Sequence, residues 1–356
     1  MKLLHMSDVH LDSNLHTNLD SIKAKQRKAE VINTFERAVD YALKNGVSGI
    51  LISGDLFDTV RILKSTKDRV LNAIVKHPEI TFFYVSGNHE ERAFISLIEN
   101  MPSNFIAFKD SWESYNLNGV IITGISMGEN PVVYDALSLD ENAVNIVMMH
   151  GQTVKYFSKN DKAETISLTK LAGKNIDYLA LGHIHYYVSE KLDDRGVYVY
   201  PGCLEGRGYD EFGKKGFALV EINGKEVSHT FIPFAKRTIH DIEIDLSKYQ
   251  SWESAEEDIL VALNGVPYED MVRVTLVGKY PQTLTKNLDM LGAKLDCYYS
   301  FKIKDNSHMN ISEIDLENDL SLKGEFLRQL KASKLTEEEI EGAIIYGLKA
   351  LDGEVL

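Results

Sequence analysis

The chain has 356 residues, and its hydrophobic share of 44% and charged share of 26% are ordinary for a soluble globular protein. Its formal net charge of −14 argues against a protein that grips nucleic acid alone through a broad basic surface. It does not exclude a nuclease, because metal-binding acids add negative charge and a partner subunit can supply phosphate contacts. No run approaches the roughly 18 apolar residues that a transmembrane helix needs, so we expect no membrane span.

The chain opens with a short apolar segment, KLLHM, that soon reaches Asp8. This segment is shorter than the core of a secretory signal, and no cleavage site follows it. The two cysteines, Cys203 and Cys297, lie far apart, and we expect both to be free, reduced thiols. These features predict a cytoplasmic protein.

Strand and helix patterns alternate through the first part of the chain. Residues 2–7 predict a buried strand, and the apolar residues of 29–46 recur at helical spacing. Further buried strands that run into loops are predicted within 49–58, 80–90, 144–151 and 177–185. This order predicts an α/β fold with a layered sheet and flanking helices.

Each predicted strand ends in a polar cluster, and this is the strongest pattern in the sequence. Loops at the ends of strands along one sheet edge are where α/β proteins place their sites. The clustered residues are Asp8, His10, Asp55, Asp58, Asn88, His89, His150, His183 and His185. Any one of these motifs alone is more often structural than functional, but the whole set in this order predicts a site.

The residue types of this set predict a site for two divalent metal ions. Imidazole, carboxylate and amide ligands suit manganese, iron or zinc, and the lack of a thiolate argues against a structural cysteine-type zinc site. Two ions about 3.5–4 Å apart can activate a water and stabilise both the phosphate and the leaving oxygen of a phosphate ester. Asp55 is the natural bridging ligand, because the glycine before it allows a tight turn.

The spacing within two motifs suggests how the ligands divide. His183 and His185 are two residues apart and can each serve one metal if the segment is extended. Asn88 and His89 are adjacent, so we do not expect both to bind one metal. If Asn88 is the ligand, His89 is available to contact the scissile phosphate or to protonate the leaving group.

The pattern changes after about residue 235. Alternating strand and helix patterns over 236–305, in the order β-α-β-α-β, predict a small α+β domain. We expect three domains, over 1–235, 236–310 and 311–356.

The last part of the chain, 320–352, predicts two amphipathic helices joined at 331–335. Thr336 and Glu339 form a capping box at the start of the second helix. The pair either packs on its own domain or docks on a partner, and the pattern does not choose between the two.

The motifs DVH, GDLFD, GNHE, HG and GHIH resemble those of the calcineurin-like metallophosphoesterases. Within this family they are similar to the DNA-repair nuclease branch of SbcD-like subunits. The segment 197–222 supports that branch through its Pro-Gly turn and its Asp-Glu-x-Gly-Lys stretch, and HLDS with the following helix resembles the YhaO-like variant of Firmicutes. The resemblance implies a layered metallophosphoesterase β-sandwich, a small capping domain and C-terminal helices.

The resemblance also implies a role for each clustered residue. It assigns one metal to Asp8, His10, Asp55 and His185, and the other to Asp55, Asn88, His150 and His183. His89 would be the catalytic histidine, and manganese the usual metal. Asp58 and Glu90 are candidate substrate contacts, at positions where relatives carry differing residues.

The function implied by the resemblance is a metal-dependent DNA exonuclease or endonuclease in an SbcCD-like double-strand-break repair complex. Its implied partners are DNA, an SMC-like ATPase of the SbcC type bound through the C-terminal helices, and a second copy of the chain. The alternative is a phosphoesterase for a phosphomonoester, a cyclic nucleotide or a lipid pyrophosphate. Thr59 stands where protein phosphatases usually carry an arginine, which argues against that class.

Overall fold

A computed structural model describes residues 1–15, 19–126, 128, 132–154, 165–281, 283–310 and 320–351. The chain divides into two compact units, Met1–Ile239 and His240–Leu356. Two six-stranded sheets form the first unit, and a three-stranded sheet lies in the second. The predicted α/β class with layered sheets is confirmed.

The first sheet has parallel strands at its centre. Its order is β14 (Glu226–Pro233), β13 (Gly216–Asn223), β1 (Lys2–Met6), β2 (Gly49–Ser53), β3 (Thr81–Val85) and β4 (Phe105–Ala107). Strands β1 to β4 are parallel, and β13 pairs with β1 in the antiparallel sense. Leu4 and Ile50 pack towards the helices, whereas Leu3 and Leu51 face the second sheet. Because both faces are covered, these strands are continuous apolar runs in the sequence.

The second sheet packs against the first. Its order is β11 (Val188–Lys191), β12 (Val197–Tyr200), β10 (Tyr178–Gly182), β7 (Val144–His150), β6 (Val120–Gly124) and β5 (Glu113–Leu117). Strands β6, β7, β10 and β12 are parallel. Ile146 and Met148 of β7 pack with Leu51 and Phe83 of the first sheet, so the main core lies between the sheets. Two short strands, β8 (Gln152–Val154) and β9 (Thr165–Ser167), form a separate pair.

Helices cover the outer face of the first sheet. These are α1 (Ser21–Lys44), α2 (Lys64–Val75) and α3 (Ala93–Ser96), whereas Leu171 of the short α4 (Leu168–Leu171) packs with the second sheet. The helix predicted over 29–46 begins earlier, at Ser21, where the Asp20 carboxylate accepts hydrogen bonds from the amides of Ile22 and Lys23, both at 2.9 Å. Its first turns are polar and largely exposed, so they carry no apolar periodicity that sequence could reveal.

The second unit has the predicted β-α-β-α-β order. Its elements are β15 (Ile239–Asp245), α5 (Trp252–Ala262), β16 (Met271–Val277), β17 (Lys279–Tyr280), α6 (Leu288–Leu295), β18 (Ser300–Asp305), β19 (His308–Met309), α7 (Leu322–Lys331) and α8 (Glu337–Leu351). Strands β15, β16 and β18 form one sheet, and Trp252, Ile259, Val274 and Leu291 belong to its core.

The two C-terminal helices pack on each other, which leaves open the choice between packing on their own domain and docking on a partner. Leu327 of α7 and Ile344 of α8 are buried between them. The predicted capping box is confirmed: the Thr336 amide donates to Glu339 Oε2 at 2.8 Å, and the Glu339 amide donates to Thr336 Oγ1 at 3.3 Å. Residues 311–319 and 352–356 of the expected third domain lie outside the described residues, and the three domain boundaries stay predictions.

Among the described residues, no helix combines the length and the apolar character needed to cross a bilayer. Both cysteines are free thiols, as expected; Cys203 is buried and Cys297 is exposed.

The first prediction concerns His5, a fully buried histidine of β1 whose Nδ1 lies 2.9 Å from the hydroxyl of Tyr178. Burial lowers the pKa of His5 from 6.5 to about 3. Between pH 6.5 and about 3 the unfolded chain therefore binds a proton at His5 that the folded chain does not bind. His5 makes the free energy of unfolding fall as the pH drops through this range. Without His5, the free energy of unfolding of His5→Gln should fall by up to about 1.4 kcal/mol less per pH unit than that of the wild type.

Urea unfolding at several pH values checks this expectation, with His308→Gln as the control because His308 is exposed. The control should keep the wild-type pH slope. An unchanged slope in His5→Gln would contradict the buried, neutral histidine.

Candidate metal centre

The predicted ligands gather where the carboxyl ends of the parallel strands in both sheets meet. Each lies at the end of a strand or in the loop directly after it: Asp8 and His10 after β1, Asp55 after β2, Asn88 after β3, His150 at the end of β7, and His183 and His185 after β10. The sheets approach closely here, since a Cβ on Gly182 would lie only 1.9 Å from the Ser53 carbonyl oxygen.

Two histidines of one cluster face each other through their Nε2 atoms. These atoms of His10 and His185 are 3.2 Å apart, and they lie 3.9 and 3.7 Å from Oδ1 of Asp8. The opposite ring nitrogens meet carboxylates: His10 Nδ1 is 2.8 Å from Asp58 Oδ1, and His185 Nδ1 is 2.7 Å from Glu211 Oε1. With the protons on Nδ1, the two Nε2 lone pairs and the Asp8 oxygen point at one position. Acceptors that converge in this way favour a cation between them.

The second cluster brings two further imidazoles to the amide oxygen of Asn88. Nε2 of His150 lies 3.0 Å from Asn88 Oδ1 and 3.4 Å from Asp55 Oδ2, and His183 Nδ1 lies 3.3 Å from the same Asn88 oxygen. The other nitrogen of His150 is 2.9 Å from the Ser53 carbonyl oxygen, to which it donates. Asp55 Oδ2 is also 3.7 Å from His10 Nε2, so Asp55 borders both clusters.

The charges of the site also favour bound cations. Asp8 and Asp55 are buried, and an isolated buried carboxylate is costly unless it is paired or binds a metal. Burial alone would raise the pKa of Asp55, but His150 and His10 hold it well below its usual range. Burial lowers the pKa of His150 and Asp55 raises it, with a net value of about 9. Thus, without a metal, the protein already draws protons to the same position.

The donor set fits divalent cations. Asp8, His10 and His185 offer ligand atoms within 4.8 Å of one another, and so do Asp8, Asp55 and His150. Imidazole and carboxylate donors of this kind hold divalent transition metals, and the sulfur of Cys203 faces Glu211 at 3.7 Å instead. The residues present therefore suit two adjoining metal positions.

The backbone around the ligands is strained. Asp8, His10, Asp55 and His183 have φ angles of 51°, 49°, 49° and 109°, in the region that side chains other than glycine disfavour. Such residues cost about 1–3 kcal/mol each and persist only where neighbouring contacts hold them. Here the Asp8 amide donates to the Gly54 carbonyl at 3.1 Å, and the His183 amide donates to the Asp8 carboxylate at 3.0 Å.

Two glycines leave room for the ligands. Gly54 has a φ of +86°, and a Cβ there would lie 2.2 Å from Nδ1 of His150. A Cβ on Gly87 would lie 1.9 Å from Oδ1 of Asp55. The close approach expected for the glycine before Asp55 is therefore present.

His89 stands at the solvent side of the clusters. Its side chain is 44% exposed, and its ring centre lies 4.8 Å from that of His10. The His89 amide donates to Asp55 Oδ1 at 3.0 Å, and its Nδ1 is 3.3 Å from the Asp58 carbonyl oxygen. The backbone thus holds this imidazole beside the metal positions, and its catalytic role stays a prediction.

Glu90 was expected to contact substrate, and that expectation is wrong. Its side chain is fully buried, so it offers no surface to a substrate. It accepts hydrogen bonds from the amides of Leu56 and Phe57, at 3.1 and 2.6 Å, and from the Tyr84 hydroxyl at 2.6 Å. Burial raises the pKa of Glu90 to about 7. Glu90 therefore fixes the loop that carries Asp55.

Asp58, the other candidate substrate contact, is 22% exposed. Its Oδ1 lies 2.8 Å from Nη1 of Arg207 and 2.8 Å from His10 Nδ1. The carboxylate thus already serves two protein groups, and a substrate contact by Asp58 stays a prediction.

Glu211 and Arg207 are site residues that the sequence reasoning missed. Glu211 is buried and binds the Nδ1 side of His185. Burial alone would raise the pKa of Glu211, but His185 and Arg207 hold it well below its usual range. Both residues lie in the segment 197–222, whose turn and acidic stretch carried the family resemblance without indicating a role for either one.

Comparison with known proteins places these residues in a family context. Residues 1–187 match the family described as calcineurin-like phosphoesterase. The uncharacterized metallophosphoesterase YhaO of Bacillus subtilis is 26% identical, over 77% of this chain and 67% of that protein. The DNA double-strand break repair protein Mre11 of Sulfolobus acidocaldarius is 25% identical, over 95% of this chain and 92% of that protein. Among solved structures, TT1561 of Thermus thermophilus aligns with a TM-score of 0.43 at 11% identity, over 65% of this chain and 98% of that chain.

The second prediction concerns Glu211. Replacing it by glutamine removes the charge that orients His185 and makes its imidazole a stronger ligand, so metal affinity should fall about 10–100-fold. Calorimetric titration of the metal-free protein with Mn²⁺ measures this loss. Glu226→Gln, on the exposed edge strand β14, is the matched control and should bind Mn²⁺ as the wild type does. Equal affinity in Glu211→Gln and the wild type would contradict the orienting role.

Proposed function

This chain belongs to the calcineurin-like phosphoesterase family, and we propose that it hydrolyses phosphodiester bonds of DNA with two divalent metal ions. The observation that carries the proposal is the convergence of imidazole nitrogens and buried carboxylates on two adjoining positions, with His10 and His185 Nε2 only 3.2 Å apart. Family membership supports a phosphoester hydrolase. The choice of DNA rests on the similarity to Mre11, which extends over 95% of this chain and therefore includes the second unit.

In this proposal, the first position is held by Asp8, His10, Asp55 and His185, and the second by Asp55, Asn88, His150 and His183. Bound divalent ions would neutralise phosphate oxygens and lower the pKa of a water. Manganese is the metal we propose, because the family resemblance implies it and the mixed imidazole, carboxylate and amide donors suit it. The role of the chain is to hold these donors rigid, which the strained loops and the glycines at 54 and 87 accomplish.

His89 is the group we propose to act on the leaving oxygen. Its Nδ1 donates to the Asp58 carbonyl oxygen at 3.3 Å, which fixes the plane of the ring and leaves Nε2 of the protonated imidazole to give its proton to the leaving oxygen. Its exposure leaves the ring open to a substrate, and its amide bond to Asp55 ties it to the metal positions. A positioned acid of this kind contributes about 10²–10⁴-fold to the rate.

The third prediction tests this proposal with end-labelled linear duplex DNA, an artificial phosphodiester and an artificial phosphomonoester, each with Mn²⁺. We expect the wild type to cleave DNA and the diester, and Asp55→Asn to lose both activities because the shared ligand is weakened. His89→Gln should lower kcat about 10²–10⁴-fold while Mn²⁺ binds unchanged. Asp68→Asn, on the exposed side of α2, is the matched control for the loss of a carboxylate.

Two outcomes of this assay would contradict the proposal. Cleavage of the diester without cleavage of DNA would reject DNA as the substrate of the isolated chain. A strong preference for the monoester would favour a small-molecule phosphoesterase instead.

We further propose that an SMC-like ATPase of the SbcC type docks on the helical pair formed by α7 and α8. Leu322 and Tyr346 support this, because these large apolar side chains are 70% and 65% exposed on the pair. The protein's charge of −14 also makes an additional source of DNA contacts useful. The homodimer implied by the resemblance stays a prediction, and so does the cytoplasmic location predicted from the N-terminal segment and the cysteines.

The fourth prediction concerns this docking surface. Replacing Leu322 and Tyr346 together by glutamate should abolish co-purification with the SbcC-type ATPase of the same organism and spare phosphodiester cleavage. The matched control is Tyr268→Glu, since Tyr268 is 66% exposed elsewhere in the same unit. Unchanged co-purification of the double variant would contradict the proposed surface.

A further inference from the structure

Five side chains form a closed ring that passes through the metal position between His10 and His185. We call them the outer ring: His10, His185, Glu211, Arg207 and Asp58. On one side of the ring, Glu211 lies 2.7 Å from His185 Nδ1 and accepts from Arg207 at 2.8 Å. On the other side, Asp58 accepts from Arg207 at 2.8 Å and lies 2.8 Å from His10 Nδ1. The two Nε2 atoms, 3.2 Å apart, close the ring at the metal position.

Arg207 is the cation that joins the two carboxylates of the outer ring. Its Nη1 donates to Asp58 Oδ1 at 2.8 Å, while Nη2 and Nε donate to Glu211 Oε1 at 2.8 and 3.1 Å. Its backbone amide donates to the other Glu211 oxygen at 2.7 Å. The rigid planar fork of a guanidinium group directs donors at two carboxylates in fixed geometry, which a single ammonium group does less well.

We propose that Arg207 is a positioning residue that sets the metal affinity of the His10–His185 position by holding Asp58 and Glu211 against the two imidazoles. This inference rests on the proposed metal site, and it adds a determinant that lies outside the ligand set. Carboxylates that accept from a ligand histidine fix the ring and raise its basicity. Without Arg207 the two carboxylates would repel each other and lose this geometry.

The second metal position is held in a different way. His150 donates to the Ser53 carbonyl oxygen at 2.9 Å, a neutral acceptor at the end of β2. That support comes from the first sheet and does not pass through Arg207. The effect of removing Arg207 should therefore be confined to one of the two positions.

The segment that carries Arg207 has its own anchor, so a variant should still fold. Glu205 is buried and accepts from Thr34 Oγ1 at 2.7 Å and from Arg27 Nη2 at 3.0 Å, both on α1. Arg27 also donates to the Gly206 carbonyl oxygen at 2.6 Å. These bonds hold the chain next to Arg207 against α1 independently of its guanidinium group.

The fifth prediction tests Arg207 by titrating the metal-free full chain with Mn²⁺ in a calorimeter. We expect Arg207→Gln to weaken one binding step about 10–100-fold and to leave the other within about threefold of the wild type. The affinity of the same step in Arg207→Lys should lie between those of the wild type and Arg207→Gln, because one ammonium group reaches only one carboxylate well. Asn88→Ala removes a ligand of the other metal position. The binding step that it weakens therefore belongs to that position, and the remaining step belongs to the His10–His185 position.

The matched control is Arg195→Gln, because Arg195 pairs with Asp177 away from the site. It should bind Mn²⁺ as the wild type does. At saturating Mn²⁺, Arg207→Gln should recover most of its kcat on an artificial phosphodiester with an unchanged KM.

Three results would overturn the role of Arg207. The first is unchanged Mn²⁺ affinity of Arg207→Gln at both binding steps. The second is a raised KM at saturating Mn²⁺, which would mark a substrate contact. The third is an equal weakening of both binding steps with a lowered Tm, which would mark a general structural role. A wild type that binds no Mn²⁺ would overturn the metal site and Arg207 together. Binding of Mn²⁺ without cleavage of DNA would instead count against the proposed substrate alone.

Discussion

The convergence of imidazole nitrogens and buried carboxylates at the strand ends is the constraint on which the site depends. Asp8 and Asp55 are buried, and the imidazoles of His10 and His185 turn their Nε2 atoms towards each other. Such a group of lone pairs and negative charges is unfavourable by itself and becomes favourable around a cation. Without a metal ion, the loops therefore hold these carboxylates and imidazoles together at an electrostatic cost, which a bound metal ion would remove.

The fold supplies the rigidity that this cost demands. Central parallel strands of two packed sheets end at one edge, and short loops leave them in strained conformations at Asp8, Asp55 and His183. Glu90 fixes the loop after β2 from the buried side: two of its hydrogen bonds hold the backbone amides next to Asp55, and the third ties it to the Tyr84 hydroxyl. The strain and the bonds that balance it are parts of one arrangement, because neither would persist without the other.

The sequence indicated the candidate ligands because each one lies at the end of an apolar strand, and strand ends in an α/β fold meet at a sheet edge. It could not reveal the outer ring, since Arg207 meets Asp58 across 149 positions of chain and no local periodicity marks such a contact. It also misjudged Glu90, because adjacency to His89 does not say to which side of the loop a carboxylate points. The beginning of α1 was missed because a polar cap and an exposed first turn leave no apolar pattern.

The central claim is that these acceptors hold two metal ions, and a crystal grown with Mn²⁺ tests it most directly through anomalous scattering at the manganese edge. The account predicts two peaks, one between the Nε2 atoms of His10 and His185 and one beside Oδ1 of Asn88, with Asp55 next to both. A single peak, or none at saturating Mn²⁺, would contradict it.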